Sequence, residues 1–138
     1  MPPPMMDDNE IEKLLRTAKT IAVVGLSDSP WRLSFGVTQY MQSQGYRIIP
    51  VNPNVSESLG ERAYNRLEDV PEKIDVVNIF RRAEFTGEVV DSAIKLGVRW
   101  IWMQEGVVNR EAAARAEAAG IGVIMNRCIL KYHRRLAA

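Results

Sequence analysis

Four consecutive apolar residues, Ile21 to Val24, are followed directly by Gly25 near the beginning of the chain. An unbroken apolar run is typical of a strand that is buried on both faces, as in a parallel sheet. The strand ends at Gly25, and a helical pattern begins at Ser34, which is a good N-cap residue. Because the unpaired amides and the dipole of a helix N terminus point at such a loop, the stretch predicts a phosphate site.

Strands and helices alternate along the whole chain. Three times a helical segment ends at a glycine that is followed within a few residues by a buried strand, at Gly45, Gly97 and Gly120. Five strands are predicted, counted one to five along the chain: 21–24, 46–51, 74–80, 98–103 and 121–125. This alternation predicts an α/β fold, a single Rossmann-like doubly wound domain with a five-stranded parallel sheet and helices on both faces. Right-handed crossovers then favour the strand order 3-2-1-4-5.

Capping residues predict where the first and fourth helices begin. Asn9 and Glu12 have the spacing of a capping box, so the first helix is expected to begin at Asn9. The proline-rich residues before it are expected to form a flexible tail at 1–8, and the compact domain is expected to span 9–138. Asn109 is expected to cap the helix that follows strand four.

The bulk composition restricts the partners of the chain. Its 138 residues carry 18 basic and 17 acidic side chains, a net charge of +1 that gives no general attraction to nucleic acid. No apolar run approaches the roughly 20 residues that a membrane helix needs, and the N-terminal residues do not resemble a secretory signal. A single cysteine excludes an internal disulfide and a multi-cysteine zinc site. We therefore expect a cytoplasmic protein without membrane, nucleic-acid or metal partners.

In doubly wound sheets, ligands bind beyond the carboxyl ends of the strands, beside strand one. The residues that follow the strands are therefore the candidates: Gly25 to Ser34, Asn52-Pro53, Phe80-Arg81 and Gln104 to Gly106. A nicotinamide cofactor is disfavoured, because no G-x-G-x-x-G follows strand one and no acidic residue for a ribose ends strand two. A P-loop nucleotidase is disfavoured as well, because the chain lacks G-x-x-x-x-G-K-[ST].

Several of these segments resemble a known family. Val24-Gly-Leu-Ser27 with Pro30 and Arg32, followed by Gly45-Tyr-Arg-Ile-Ile-Pro-Val-Asn-Pro53, resembles the CoA-binding domain shared by the succinyl-CoA synthetase α-subunit and acyl-CoA synthetases. Further segments are similar to the YccU-like stand-alone CoA-binding proteins: Asp75-Val-Val-Asn-Ile-Phe-Arg81, Trp102-Met-Gln-Glu-Gly-Val107 and Met125-Asn-Arg-Cys128. The resemblance extends over nearly the whole chain.

This resemblance implies that the cofactor is coenzyme A or an acyl-CoA, and it gives each strand-end segment a role. The first loop, the helix start and Arg32 would hold the pyrophosphate. The residues after strands two and three would border the adenosine, and those after strand four would lie toward the pantetheine. Guanidinium and amide groups suit a ligand that carries a pyrophosphate and a 3′-phosphate. The predicted binding residues are Gly25, Leu26, Ser27, Arg32, Ser34, Asn52, Pro53, Phe80, Arg81, Gln104 and Gly106.

The chain departs from the family pattern at three positions. Asn78 and Asn126 stand where an aspartate is expected, and Tyr132 stands where a glutamate is common. All three lie outside the phosphate loop. The departures therefore bear on the role of a carboxylate cluster more than on CoA binding.

The tryptophans are expected to pack against the protein. We predict that the ring of Trp31 folds onto the domain surface instead of stacking on adenine. Trp100 and Trp102, in strand four, are expected to face opposite sides of the sheet in core or interface packing. Aromatic residues exposed near this strand would favour a homodimer.

The function predicted is non-catalytic binding of CoA or an acyl-CoA, compatible with a regulatory role. The related synthetases act through a phosphohistidine, whereas the one histidine here, His133, is not in a strand-end loop. One alternative is an NAD(P)-dependent oxidoreductase. Another is an enzyme that processes the acyl-CoA thioester through Cys128 with His133 as its base, although a free cysteine usually behaves as a small packed hydrophobe.

Overall fold

The structure, a computed structural model, describes residues 6–137. Five strands form a parallel sheet with helices on both faces, and two short strands form a separate hairpin, so the predicted α/β class is confirmed. In chain order the elements are α1 (Asp8–Thr17), β1 (Thr20–Val24), α2 (Leu33–Ser43), β2 (Arg47–Val51), β3 (Glu57–Ser58), β4 (Glu61–Arg62), a 3₁₀ turn (Leu67–Asp69), β5 (Val76–Ile79), α3 (Ala83–Leu96), β6 (Trp100–Met103), α4 (Arg110–Ala118), β7 (Gly122–Ile124) and α5 (Ile129–Ala137).

The order of the strands differs from the prediction. The sheet runs β2-β1-β5-β6-β7, which is 2-1-3-4-5 when the five parallel strands are counted along the chain, so the predicted 3-2-1-4-5 is wrong. Right-handed crossovers permit both orders, and the face on which the connection from β2 to β5 packs decides between them. Leu67 and Val70 of this connection lie in the same core as α3 and α4, opposite α2. The chain therefore crosses back over β1, and the point where the strand order reverses lies between β1 and β5.

Two apolar cores cover the two faces of the sheet. Alternate residues of β1 divide between them, with Ala22 and Val24 on one side and Ile21 and Val23 on the other. The first core contains the inner faces of α3 and α4, and the second contains those of α1, α2 and α5. β1 is therefore buried on both faces, as its apolar run predicted for a central parallel strand.

The strand registers bring three chain segments together at the carboxyl edge of the sheet. Val24 pairs with Val51 of β2 and with Ile79 of β5. Two further hydrogen bonds continue the ladder past the strand ends, from Gly25 N to Val51 O at 2.9 Å and from Phe80 N to Val24 O at 2.8 Å. The loops that follow β1, β2 and β5 therefore begin side by side.

Trp100 and Trp102 lie on the same face of the sheet, so the prediction that they face opposite sides is wrong. Residues two apart in a strand point to the same side, and both rings are buried in the core formed with α1, α2 and α5. The Trp102 indole donates a 2.9 Å hydrogen bond to the Arg127 carbonyl. The aromatic residues that suggested a homodimer are thus core residues.

Helix starts agree only in part with the capping predictions. Asp7, not Asn9, caps α1, because its carboxylate accepts a 2.9 Å hydrogen bond from the Glu10 amide. The helix therefore reaches into the predicted tail at 1–8, of which residues 1–5 lie outside the described part of the chain. The N-cap of α2 is Arg32 and not Ser34. Asn109 caps α4 as predicted, accepting from the Ala112 amide at 3.0 Å.

His133 anchors α5 to the rest of the domain. Its Nδ1 lies 2.9 Å from the Tyr40 hydroxyl oxygen, and its ring meets the rings of Tyr40 and Tyr46 edge to face. Burial lowers the pKa of His133 below its ordinary value of 6.5. The unfolded chain therefore binds a proton at His133 at a higher pH than the folded chain does. The stability contributed by neutral His133 is complete above the pKa that His133 has in the unfolded chain. It declines as the pH falls from that value toward the lower pKa of the folded chain.

We therefore expect His133→Gln to reduce the loss of stability that accompanies mild acidification. The measurement is the free energy of unfolding in urea at pH 7.5 and pH 5.5, for the wild type and the variant. The wild type should lose more stability between these two values than the variant does, because only the wild type takes up a proton at this position on unfolding. Equal losses in the two proteins would show that the burial of His133 has no effect on its protonation.

Candidate functional site

The carboxyl edge of the sheet between β1 and β5 is where the architecture places a ligand. Here the loops after the two strands touch, and Gly25 makes their contact possible. Gly25 has a φ of +88°, and a Cβ atom built on it would lie 2.7 Å from the Phe80 carbonyl oxygen and 3.3 Å from Arg81 Cδ. A larger residue would therefore both strain the backbone and push the two loops apart.

Ser27 is held by hydrogen bonds from three directions. Its amide donates to the Ser34 hydroxyl oxygen at 3.1 Å, its hydroxyl oxygen accepts from the Ser29 amide at 3.0 Å, and its carbonyl accepts from the Ser58 hydroxyl at 2.8 Å. The Ser34 side chain thus stabilises the loop after β1 instead of capping α2. The loop is preorganised by these bonds, and the hydroxyl proton of Ser27 is still available for a ligand.

Asn52 ties the loop after β2 to the loop after β1. Its side-chain amide donates to the Leu26 carbonyl at 3.0 Å, and its side-chain oxygen accepts from the Asn54 amide at 3.0 Å. Both ends of the side chain therefore have partners within the protein. This geometry gives Asn52 a positioning role in the site, in addition to the adenosine contact that was predicted for it.

A first cavity of about 530 Å³ opens between these loops and the start of α2. Six of the predicted binding residues line it, and three of the loops supply them. Its lining residues are Gly25, Ser27, Asp28, Ser29, Arg32, Leu33, Ser34, Asn52, Asn54, Val55 and Phe80. The predicted phosphate loop is therefore the wall of a real cavity.

The N terminus of α2 faces this cavity without a cap. Its N-cap residue, Arg32, makes no side-chain capping bond, and its first turn holds no acidic residue. By contrast, Asp7 and Asn109 cap α1 and α4 with their side chains. The Phe35 and Gly36 amides donate to the Arg32 carbonyl at 3.1 and 3.2 Å, whereas the Leu33 and Ser34 amides have no acceptor among the described residues. This end of α2 therefore presents two free donors and partial positive charge next to Arg32.

A second cavity of about 330 Å³ lies on the other side of the strand ends, between the β4–β5 connection and α3. Two more predicted residues, Pro53 and Arg81, line it. The Arg81 guanidinium rests over the Phe85 ring at 5.1 Å. The remaining lining residues are Val24, Val51, Asn65, Arg66, Leu67, Glu68, Glu88, Val89 and Ser92. Its wall is more apolar than that of the first cavity, which suits a flat ring better than a phosphate.

Three predicted residues lie in neither cavity. The side chain of Leu26 is fully buried in the core beneath the loop. Gln104 is also buried, and its side-chain amide donates to Asn78 Oδ1 at 2.7 Å. Gly106 is exposed, and its amide donates to the Asn126 side chain at 2.8 Å. Asn78 and Asn126, two of the three departures from the family pattern, thus hold the loop after β6 in place.

Because the Asn78–Gln104 hydrogen bond is buried, losing one partner should be costly. We expect Asn78→Leu to lower the free energy of unfolding by about 1–3 kcal/mol, since the Gln104 amide is left without its acceptor. The double replacement Asn78→Leu with Gln104→Leu should be more stable than Asn78→Leu alone, because both polar groups are then removed. Urea denaturation of the three proteins measures this. A double variant that is no more stable than the single one would contradict the assignment.

The prediction for Trp31 is wrong, because its ring does not fold onto the domain. Trp31 is 82% exposed and Leu33, two residues on, is 69% exposed. Both are neighbours of Arg32 in the chain, and Leu33 lines the first cavity. The pattern Pro30-Trp31 gave no sign of this, because the direction of a loop side chain depends on local backbone turns that periodicity does not encode.

The contribution of the β3–β4 hairpin was not predicted from the sequence. Its Ser58 is buried and donates to the Ser27 carbonyl, and Gln42 of α2 donates to the Leu59 carbonyl beside it at 3.0 Å. The positive φ of Gly60, at +77°, marks the turn of the hairpin. That glycine, between Ser58 and Glu61, was the available sign of a tight turn.

The candidate nucleophile and base are not assembled. Cys128 is 8% exposed and packs in the core, whereas His133 Nδ1 is directed at Tyr40. Neither residue lines the two cavities. Between residues 6 and 137, no cluster of three or more His, Cys, Asp or Glu side chains is placed to hold a metal ion. In the same part of the chain, no helix has the length and apolar character needed to cross a bilayer.

Comparison with known proteins connects this architecture to a family. A family model described as "CoA binding domain" matches residues 19–134. The uncharacterized protein YneT of Bacillus subtilis is 44% identical over 124 residues, which cover 90% of this chain and 92% of YneT. A solved structure, a hypothetical protein from Pyrococcus horikoshii OT3, superposes with a TM-score of 0.93 at 39% identity, covering 96% of this chain and 94% of that one.

A second group of relatives consists of larger enzymes. The acetate–CoA ligase (ADP-forming) II of Archaeoglobus fulgidus is 28% identical over 101 residues. This match covers 72% of the present chain but only 15% of the ligase. The similarity is therefore to one part of a much longer protein.

Proposed function

Because the chain belongs to the CoA-binding domain family, we propose that it binds coenzyme A or an acyl-CoA across the carboxyl edge of its sheet, without chemistry of its own. The observation that carries the proposal is the first cavity, into which the uncapped N terminus of α2 and the Arg32 guanidinium open beside Gly25. This combination of donors and positive charge is what a pyrophosphate requires.

In this proposal the first cavity holds the pyrophosphate. The α2 amides and the Ser27 hydroxyl donate hydrogen bonds to its oxygens, and Arg32 supplies the compensating charge. Among the described residues Arg32 has no carboxylate partner, so its guanidinium is free to pair with a phosphate. Asp28 is the one acidic residue in the cavity wall, and it is exposed to solvent. The hydrogen-bonded loop lets the site meet the ligand with little reorganisation.

The adenosine is proposed to lie over the strand ends and into the second cavity. Its apolar wall, which includes Val24, Val51 and Leu67, suits the face of a base, and Pro53 stands at the β2 side. The pantetheine arm then leaves the first cavity in the other direction. Gln104 and Gly106 do not line either cavity, so the present geometry supports no assignment of them to the arm.

Binding without catalysis is supported by the state of the groups that would react. The Cys128 thiol is packed in the core, and His133 is hydrogen-bonded to Tyr40. Attack of this thiol on a bound thioester would require the cysteine to leave the core. The ligase activity named for the larger relatives is a property of those proteins, of which this chain matches a small part.

A regulatory role is also part of the proposal. Trp31 and Leu33 are large, exposed and next to the residue that would bind phosphate. A ligand in the first cavity would change the surface that these two side chains present. A partner protein that reads this surface would then distinguish the liganded from the free domain.

The proximity of Trp31 to Arg32 provides a direct test. Trp31 is exposed while Trp100 and Trp102 are buried, so a change in fluorescence on adding CoA should come from Trp31. We expect a saturable change in emission with CoA in the wild type. The response should vanish in Trp31→Phe, although calorimetry should still record binding by that variant. Neither heat nor an optical change with CoA would refute the proposed function.

A further inference from the structure

We propose that Arg81 recognises the 3′-phosphate of CoA, so that the site distinguishes CoA from dephospho-CoA. This inference rests on the proposed function and assigns a specificity determinant within it. The two cavities lie on either side of the ends of β1, β2 and β5. A ligand that spans both cavities can place one anionic group at Arg32 and, if it carries a second on the same ribose as CoA does, another at Arg81.

At three strand ends, one residue lines the first cavity and its neighbour in the chain lines the second. Gly25, Asn52 and Phe80 line the first cavity. The residues next to them in the chain, Val24, Pro53 and Arg81, line the second. The cavities therefore lie on the two sides of a saddle formed by the ends of β1, β2 and β5. Arg81 stands at this saddle, because its Cδ lies 3.3 Å from the Cβ position of Gly25.

Arg81 has no ion-pair partner among the described residues, unlike two other arginines near it. Arg82 pairs with Glu84 at 3.8 Å, and Arg66 pairs with Asp69 at 3.4 Å. Within residues 6–137 Arg81 forms no ion pair, and its guanidinium is held over the Phe85 ring. An arginine that is positioned by an aromatic ring but has no anionic partner is ready to accept one.

The other charges in the second cavity decide where in it an anion can bind. Glu68 and Glu88 also line this cavity, together with Arg66, so its interior has no excess of positive charge. A phosphate is therefore favoured only at the saddle, next to Arg81 and across the strand ends from Arg32. The carboxylates are suited to accept hydrogen bonds from the amino group of a base placed deeper in the cavity.

The chemistry of CoA fits these two positions. The pyrophosphate is attached to the 5′ carbon of the ribose and the additional phosphate to its 3′ carbon, so one sugar separates the two anionic groups. With the pyrophosphate at Arg32, the ribose lies over the Gly25–Phe80 contact and the 3′-phosphate faces Arg81. A guanidinium binds a phosphate through two parallel hydrogen bonds, which gives geometric selection as well as affinity.

The test compares two ligands on three proteins by calorimetry: CoA and dephospho-CoA with the wild type, Arg81→Gln and Arg82→Gln. Glutamine keeps part of the arginine stem against Gly25, and thermal unfolding checks that each variant is folded. The wild type should bind CoA roughly 10-fold to 100-fold more tightly than dephospho-CoA, the scale of a charge-assisted phosphate contact. Arg81→Gln should lose this preference while its affinity for dephospho-CoA stays within about threefold. Arg82→Gln, the neighbouring control, should keep the wild-type preference.

Each other outcome overturns the assignment in a distinct way. Equal affinities of the wild type for the two ligands would show that the 3′-phosphate is not recognised. Equal weakening of both ligands by Arg81→Gln would place Arg81 on the base or the pyrophosphate. Loss of the preference in Arg82→Gln would move the contact to that residue. No binding of CoA by the wild type would remove the proposed function itself, and this assignment with it.

Discussion

Replacing Gly25 with alanine is expected to destabilise the domain and to remove most of its affinity for CoA. The added Cβ would lie 2.7 Å from the Phe80 carbonyl oxygen, and the backbone φ of +88° is unfavourable for any residue with a Cβ. Left-handed strain and overpacking together should lower the free energy of unfolding by about 2–4 kcal/mol. Since the loop after β1 and the loop after β5 must then separate, the saddle between the two cavities is lost.

Gly45→Ala is the matched control for this prediction. Gly45 has a φ of +98° and nothing within 4 Å of its Cβ position, so it carries the same kind of backbone strain without the clash. It also lies away from both cavities. We expect this variant to lose about 1–2 kcal/mol of stability and to bind CoA like the wild type. If Gly25→Ala bound CoA as well as Gly45→Ala does, the Gly25–Phe80 contact would have no part in the site.

Arg32→Ala is expected to weaken CoA binding by roughly 10-fold to 100-fold, the scale of one charge-assisted hydrogen-bonding group. Its stability should stay within about 0.5 kcal/mol of the wild type, because the side chain is exposed and makes no capping bond. Arg32→Lys should fall between the two, since lysine keeps the charge but not the two parallel donors. Calorimetric titration measures the affinities, and urea denaturation measures the stabilities.

Arg82→Ala provides the comparison for Arg32→Ala. Arg82 is the N-cap residue of α3, as Arg32 is of α2, and it likewise makes no side-chain capping bond. It differs in lying outside both cavities. We expect Arg82→Ala to bind CoA with nearly wild-type affinity. Similar losses in the two variants would mean that the effect is one of overall charge and not of a phosphate contact.

The fold class was predictable because its signals are local. An unbroken apolar strand at Ile21 to Val24 and glycines between helices and strands specify buried parallel strands joined by helices. The strand order was not predictable by the same means. It depends on the face of the sheet against which Leu67 and Val70 pack. A short connection with a single 3₁₀ turn has no periodic pattern that indicates this face.

The candidate site could likewise be predicted only in part. Gly25, Ser27, Arg32 and Ser34 were predicted from a strand, a turn and a helix start, and they meet in one cavity. The roles of Asn52 and Gln104 were not foreseen, because their side chains bond to residues distant in the chain, Leu26 and Asn78. Such pairings depend on the register of neighbouring strands. A polar residue at the end of a strand can therefore hold a neighbouring loop in place, whatever contact it makes with a ligand.

The most direct measurement is a calorimetric titration of the wild-type protein with CoA and, separately, with NAD. We expect saturable binding of CoA with one site per chain and no saturable heat with NAD. This follows from a phosphate site at Arg32 and from the absence of an acidic residue at Asn52-Pro53, where an NAD ribose would need one. Saturable binding of NAD together with no response to CoA would refute CoA binding and favour a nicotinamide-dependent oxidoreductase.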